Sequence, residues 1–238
     1  MRARQRHINP KAAGANLVLD ARYISGIADG AGISTWSDRS GNGYDATQSN
    51  STRQPVYKIN IQGGQPATLF NGVATGDGTR FSTTLAYQSG DFTVVTVWKP
   101  DSPGTLYYRR LLDKEYDVGF WMGRQTGSGN NYGSGCQQTT TPFGNFLSLD
   151  ATQTHILSAS RNGTSWTVTS ESNATSTATV SSTALSANSM TIGSTAGGFE
   201  VWKGYIFGVL YFHNLALSSS VLRRVFHAYG YSFKIACA

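Results

Sequence analysis

The sequence predicts an all-β protein, two stacked antiparallel sheets with one short helix near the C-terminus. Three observations carry that expectation. Short β-branched and aromatic runs recur along the 238 residues, each bounded by Gly-, Asn- or Ser-rich turns. Charged residues make up only 13% of the chain while glycine reaches 27, a composition suited to many brief strands and tight turns. A single stretch, from Ser218 to Gly230, has convincing helical periodicity.

Leu17-Val18-Leu19-Asp20-Ala21 reads as the first strand. Trp36 then leads through Ser37-Asp38-Arg39-Ser40-Gly41-Asn42-Gly43 into the short strand Tyr44–Thr47. Asn42-Gly43 is expected to supply positive-φ turn positions, and the Asp38 and Ser40 side chains to bond nearby backbone amides. Thr68-Leu69-Phe70-Asn71-Gly72 closes another strand. Phe92–Trp98 is β-branched or aromatic throughout, as in a central strand buried on both faces. Two alternating runs, 155–160 and 165–169, flank Arg161-Asn162-Gly163-Thr164 and read as a hairpin. Segments near 79–84, 106–112, 118–124, 189–193 and 202–213 bring the count to about a dozen strands. The helix is predicted to start at Ser218, whose hydroxyl would cap the first amides, and to end at Gly230. Val221, Leu222, Val225, Phe226 and Tyr229 form its apolar stripe, and Arg223, Arg224 and His227 its other face. Trp36, Trp98, Trp166 and Trp202 lie in strand patterns and belong to the core. With no repeat and no second domain visible, residues 1–13 read as a basic arm and 14–238 as one domain. A chain this long buries about 70–75% of its extended surface and needs no covalent staple.

Taken in order, the Leu-rich strand ending in Asp20-Ala21, the Trp36-x-Asp38-x-Ser40-Gly41-Asn42-Gly43 turn and the Phe70-x-Gly72 strand end form a recognisable set. The pattern closes with Gly204-x-Ile206-x-x-Val209-x-x-x-x-Asn214-x-x-Leu217-Ser218 and a helix. This arrangement, over residues 15–233, resembles the concanavalin A-like lectin/glucanase superfamily, in its laminin-G-like bacterial and phage branch. The resemblance implies a jelly-roll sandwich. It does not fix a function, since such a fold hosts lectins, glucanases, adhesion modules and virion proteins.

Charge is concentrated at the ends. Residues 1–11 hold Arg2, Arg4, Arg6 and Lys11 without an acid, and residues 203–238 hold Lys203, Arg223, Arg224 and Lys234 without one, whereas the middle is slightly acidic. That is not the broad basic face of a duplex DNA binder. The ends are either solvated charge or docking elements for an acidic protein surface, with Arg2, Arg4, Arg6, Lys11, Arg223 and Arg224 as candidate contacts. No run of about 18 apolar residues offers a membrane span. No apolar region follows the basic Met1–His7, so no secretory leader is expected there. Cys136 and Cys237 are expected as free thiols, with a single long-range bridge as the alternative. No Cys/His group has zinc spacing, and the four histidines are scattered.

Leu112–Asp117 is the one segment with clustered acids. As a strand it would align Asp113, Glu115 and Asp117 on one face, and the resemblance offers glucanases with acids in such alternation, one nucleophile and one proton donor. The residue types are inverted here and Lys114 and Tyr116 are the spacers, so the segment is read as a hairpin carrying solvated charge. A glucanase-like hydrolase would lose turnover on Glu115→Gln. Calcium, held near a rim in several laminin-G-like modules, is a further implication. Asp38, Asn42 and Asp45 are the available ligands, but Asn71 stands where relatives often have Asp, and no metal or other cofactor is predicted. The best ligand-facing candidate is the stretch Gln125–Gln138, read as a long irregular loop. Trp121 and Tyr132 could stack on a sugar ring, and Asn130, Asn131 and Gln137 could read hydroxyls. Asn50, Asn162 and Asn173 fit the glycosylation pattern but carry no weight without a secretory route.

Three functions follow. The first is a non-enzymatic, lectin-like virion accessory protein on a phage head or tail, docked through its basic ends on an acidic capsid or tail protein and binding surface glycans. The second is a carbohydrate-binding or adhesion module of a secreted bacterial protein. The third is the jelly-roll hydrolase. The first is the expectation, which places the protein on the virion surface, or extracellularly under the second.

Overall fold

The computed structural model describes residues 9–73, 78–86, 90–101, 109–113, 119–125, 130–138, 141–180 and 189–238. In chain order the strands are β1 (Leu17–Asp20), β2 (Thr35–Trp36), β3 (Ala46–Thr47), β4 (Val56–Gln62), β5 (Gln65–Asn71), β6 (Phe81–Ala86), β7 (Phe92–Pro100) and β8 (Arg109–Asp113). They continue with β9 (Phe120–Arg124), β10 (Asn131–Gln138), β11 (Thr141–Ser148), β12 (His155–Asn162), β13 (Ser165–Ser170), β14 (Thr175–Thr179), β15 (Ser189–Ile192) and β16 (Lys203–His213). One α-helix follows, α1 (Ser219–Phe233). The expected all-β class holds: two antiparallel sheets, ordered β14-β13-β12-β7-β16-β5-β4 and β11-β10-β9-β8-β15-β6-β3-β2, with β1 also paired to β16.

β7 and β16 sit at the centre of the first sheet and explain why their sequences are apolar on both faces. Phe92, Val94 and Trp98 of β7 point between the sheets, whereas Val95 and Val97 point to the opposite side, under α1. In β16 the alternation slips by one residue: Ile206 pairs with Trp98 and Gly208 with Val97, leaving Phe207 as the extra residue of a bulge. Phe207, Leu210 and Phe212 therefore meet the helix while Ile206, Val209 and Tyr211 face the sandwich interior. Trp36, Trp98, Trp166 and Trp202 are buried in that interior, as expected, with Trp202 just ahead of β16.

Several expectations need correction. Gln125–Gln138 is not one long loop, because residues 131–138 form β10, paired residue for residue with β11. Its glycines hide the pattern. A Cβ on Gly133 would lie 1.9 Å from the Asn145 carbonyl oxygen, so close strand approach requires glycine there. The positive φ values of the Trp36 turn belong to Gly41 (93°) and Gly43 (76°), not to Asn42. Ser218 occupies the N-cap position without a side-chain capping bond; its hydroxyl lies 3.2 Å from that of Ser220. Gly230 does not end the helix, which runs a further turn to Phe233 and stops at Lys234 in the left-handed conformation. Gly230 instead admits the C-terminal tail: a Cβ there would stand 2.4 Å from Cys237 Sγ. Asp113 is not solvated hairpin charge but the buried last residue of β8, 3.9 Å from Arg110 Nε. Glu115 and Asp117 lie outside the described residues. Cys136 and Cys237 are unbridged. Of the expected arm, residues 1–8 lie outside the described residues, and Asn9–Gly14 fold into a turn, with Ala13 packed against the helix-side cluster.

Candidate functional site

An open cleft of about 1030 Å³ lies where β1, the Asp38 turn, the β4–β5 connection and the end of α1 converge. Its walls are built by side chains that fasten remote segments together. Asp20 ends β1 and caps a 3-10 turn over Ala21–Tyr23, its Oδ1 accepting from the Arg22 amide at 3.0 Å. Arg22 Nε donates back to Asp20 Oδ1 at 2.9 Å and Oδ2 at 3.0 Å, and Nη2 donates to Oδ2 as well. Arg22 Nη1 reaches Ser232 Oγ on α1 at 2.6 Å, with the guanidinium 5.2 Å from the ring centres of Tyr229 and Phe233. Burial alone would lower the Arg22 pKa, but the bond to Asp20 and its charge outweigh this and raise it. The clasp turns Tyr23 outward, where it is 58% exposed.

The Asp38 turn supplies the second wall. Asp38 Oδ1 accepts from the amides of Val18 (2.9 Å) and Ser40 (2.8 Å), and Oδ2 from Ser40 Oγ (2.6 Å) and the Tyr44 amide (3.1 Å). Asp45 Oδ1 accepts from the Asp38 amide at 2.8 Å. The expected backbone-capping role of Asp38 and Ser40 is thus realised. The Arg39 amide donates to the Val18 carbonyl, which aims the exposed Arg39 side chain into the cleft. Its guanidinium rests 4.9 Å from the Tyr23 ring centre, a cation–π contact. Lys11 crosses the same turn, 2.8 Å from where a Cβ on Gly41 would sit. From α1 come Tyr231, 73% exposed, and Lys234 just beyond the helix end. The cleft thus offers aromatic faces, hydrogen-bond donors and positive charge, equipment for holding a polar ring rather than for acid/base chemistry.

The predicted site residues are not gathered in this way. Tyr132 is 1% exposed in the sandwich interior, 4.6 Å from Trp98 between ring centres, so no sugar can reach its face. Trp121 lies on the outer face of its sheet but is only 9% exposed, because the Arg110 guanidinium covers it at 4.1 Å. Arg110 is held there by Glu200, its Nε donating to Oε2 at 2.6 Å. Asn130 and Asn131 are half-buried, their carbonyls accepting from Leu149 and Gln125. The Gln137 side chain and Arg2, Arg4 and Arg6 lie outside the described residues. Lys11 lines the cleft, and Arg223 and Arg224 are exposed on α1. Among the described residues no group of three or more His, Cys, Asp or Glu is gathered as for a metal. No described helix is long and apolar enough to cross a membrane. A second depression of about 460 Å³ is lined by Ser34, Thr35, Thr47, Gln48 and Arg80 among others, with no aromatic residue.

No protein-family model matches the chain, and no curated protein sequence does. Solved structures do match. The binding domain of botulinum neurotoxin serotype C1 aligns over 92% of this chain and 53% of its own length, at 14% identity and a TM-score of 0.65. A structure describing cell entry of botulinum neurotoxin type C through two ganglioside molecules aligns over 91% of this chain and 51% of its own, at 13% identity and 0.65. Domain 4 of AbnA, an extracellular arabinanase from Geobacillus stearothermophilus, in complex with arabinotriose, is covered over 98% of its length by 83% of this chain, at 15% identity and 0.60. The likeness is one of fold. The chain spans about half the length of the neurotoxin domains it matches.

Proposed function

We propose that the protein is a non-catalytic glycan-binding β-sandwich whose site is the cleft between the Asp38 turn and the end of α1. The observation that carries this reading is the pair of exposed tyrosines, Tyr23 and Tyr231, on the walls of one open cleft. A phenol ring offers a flat apolar face and a polar edge, which suits the C–H face and hydroxyl rim of a sugar. The arabinotriose complex of the AbnA domain and the ganglioside-dependent entry of neurotoxin type C support it from proteins of the same fold. Fold alone does not assign function, so the cleft carries the argument. A laminin-G-like branch is the finer placement, supported by the Trp36–Gly43 turn and by β16 running into α1. The module uses no metal or cofactor in this reading, and its setting is extracellular or particle-bound. A non-catalytic role is favoured by Asp113, buried beside Arg110 and outside the cleft.

The test is titration with neutral and acidic oligosaccharides, followed by Tyr23→Ala and Tyr231→Ala. Each is expected to weaken binding about tenfold, roughly 1.4 kcal/mol. Binding that survives both substitutions unchanged removes the cleft from the account.

A second reading, a virion accessory protein docked on an acidic capsid or tail protein, is favoured by one observation. Lys11 from the first basic segment and Lys234 from the last line the same cleft. Attachment to particles that is indifferent to ionic strength would argue against it.

A further inference from the structure

We infer that the cleft selects anionic sugars, those bearing a carboxylate or sulfate, over neutral ones; the inference rests on the glycan-binding reading above. Lys11, Arg39 and Lys234 are exposed on its walls, and among the described residues none of the three has an ion-pair partner. Among the described residues the single acid of the lining, Asp20, is buried and both its oxygens are taken by Arg22. Asp38 and Asp45, close to Arg39 in sequence, accept from backbone amides of their own turn and, for Asp38, of Val18 in β1. The cleft field is therefore positive, and a concave wall focuses it.

Arg39 gives that field a geometry. Its guanidinium carbon lies 4.9 Å from the Tyr23 ring centre and the group makes no hydrogen bond to a described residue, so its N–H donors are open. A guanidinium edge is a planar fork matched to two oxygens of a carboxylate or sulfate. Lys11, lying across Gly41 of the same turn, adds an ammonium to the same cleft. Arg22 differs, because its N–H groups are already used on Asp20 and Ser232. An anionic pyranose can thus place its charged group on the Arg39 edge while its ring meets the aromatic wall. A neutral sugar leaves that fork with water alone.

The experiment is calorimetric titration of the full chain with sialyllactose, 6′-sulfolactose and lactose, and with a poly-glutamate peptide, at low and at 0.3 M salt. One of the two charged sugars is expected to bind at least about tenfold tighter than lactose, an advantage that shrinks with salt. Preference for the first identifies a carboxylate, for the second a sulfate. Arg39→Ala is expected to abolish the preference, so that the variant binds the charged sugars no more tightly than it binds lactose; the side chain is exposed and its amide bond to Val18 is retained. Equal affinity for all three sugars, or a preference that survives Arg39→Ala, overturns the inference while the glycan-binding reading stands. Poly-glutamate binding as tightly as the charged sugars overturns it in favour of an acidic protein partner. No binding to any sugar sinks both.

Discussion

Asp20 and Arg22 show how two residues, one turn apart, decide where the cleft opens. Their clasp reaches Ser232, so the first strand and the last helix are fixed to each other through one guanidinium. Replacing Asp20 by Ala strands a half-buried cation, and is expected to cost about 3 kcal/mol in urea unfolding, more than a surface pair would. His155 is a second such centre. Its Nδ1 lies 2.7 Å from Glu171 Oε1 and its Nε2 lies 2.7 Å from the Asp150 carbonyl oxygen. A carboxylate and a carbonyl oxygen flank the ring, an arrangement that favours the doubly protonated imidazolium, in which both nitrogens donate. Burial opposes that charge, but the bonds to Glu171 and Asp150 prevail and the pKa is raised. A raised folded pKa stabilises below the ordinary histidine range and loses that contribution as pH climbs through the folded value. Wild type is therefore expected to lose stability between pH 6 and pH 8.5, and Glu171→Gln to lose much less. Parallel denaturation curves for the two proteins at both pH values would contradict this. The two thiols differ in access rather than acidity. Burial pushes both up to about 11, but Cys136 is wholly buried, so under native conditions a thiol reagent should label the half-buried Cys237 and spare Cys136.

At the scale of elements, α1 closes the outer face of the first sheet, and its predicted stripe is the face that packs. Phe226→Ala is expected to cost about 3–5 kcal/mol by leaving a cavity over β7 and β16. Ser218→Ala should cost little, since no capping bond is lost. Gly230→Ala sets helix propensity, worth about 1 kcal/mol in favour, against a collision with Cys237 and the Ile235 carbonyl. The collision wins if the tail cannot shift, and the measurable result is a lower Tm with greater protease sensitivity beyond residue 233. These cases mark what the sequence could reveal. Strands with continuous β-branched or aromatic residues, such as β7, and the β12–β13 hairpin around Gly163 are legible because side-chain pattern and turn chemistry agree. β10 is not, because Gly133 and Gly135 stand where a strand pattern expects side chains, and Gly133 serves close contact with the neighbouring β11. Tyr132 reads as ligand-facing for the same reason, since a loop exposes its aromatics, whereas β10 sends its ring inward; Trp121, on a strand expected from the sequence, lies under Arg110.

At the scale of the molecule, the cleft was illegible because its parts come from residues 9–11, 20–23, 39 and 228–235. No periodicity links them; only the sandwich and its covering helix do. The Asp38 turn and the basic ends are each visible in the sequence, but Arg39 lying over Tyr23 and Lys11 and Lys234 sharing one cleft are tertiary facts. The sandwich interior, packed with Trp36, Trp98, Trp166 and Trp202, holds the scaffold, and binding is left to its rim. Backbone amide shifts recorded during titration with a charged oligosaccharide test that division most directly. The account predicts saturable shifts at 18–23, 39–43 and 228–235, with the strands of the second sheet unmoved. Shifts centred on 130–137, or saturation with none at the cleft, would contradict it.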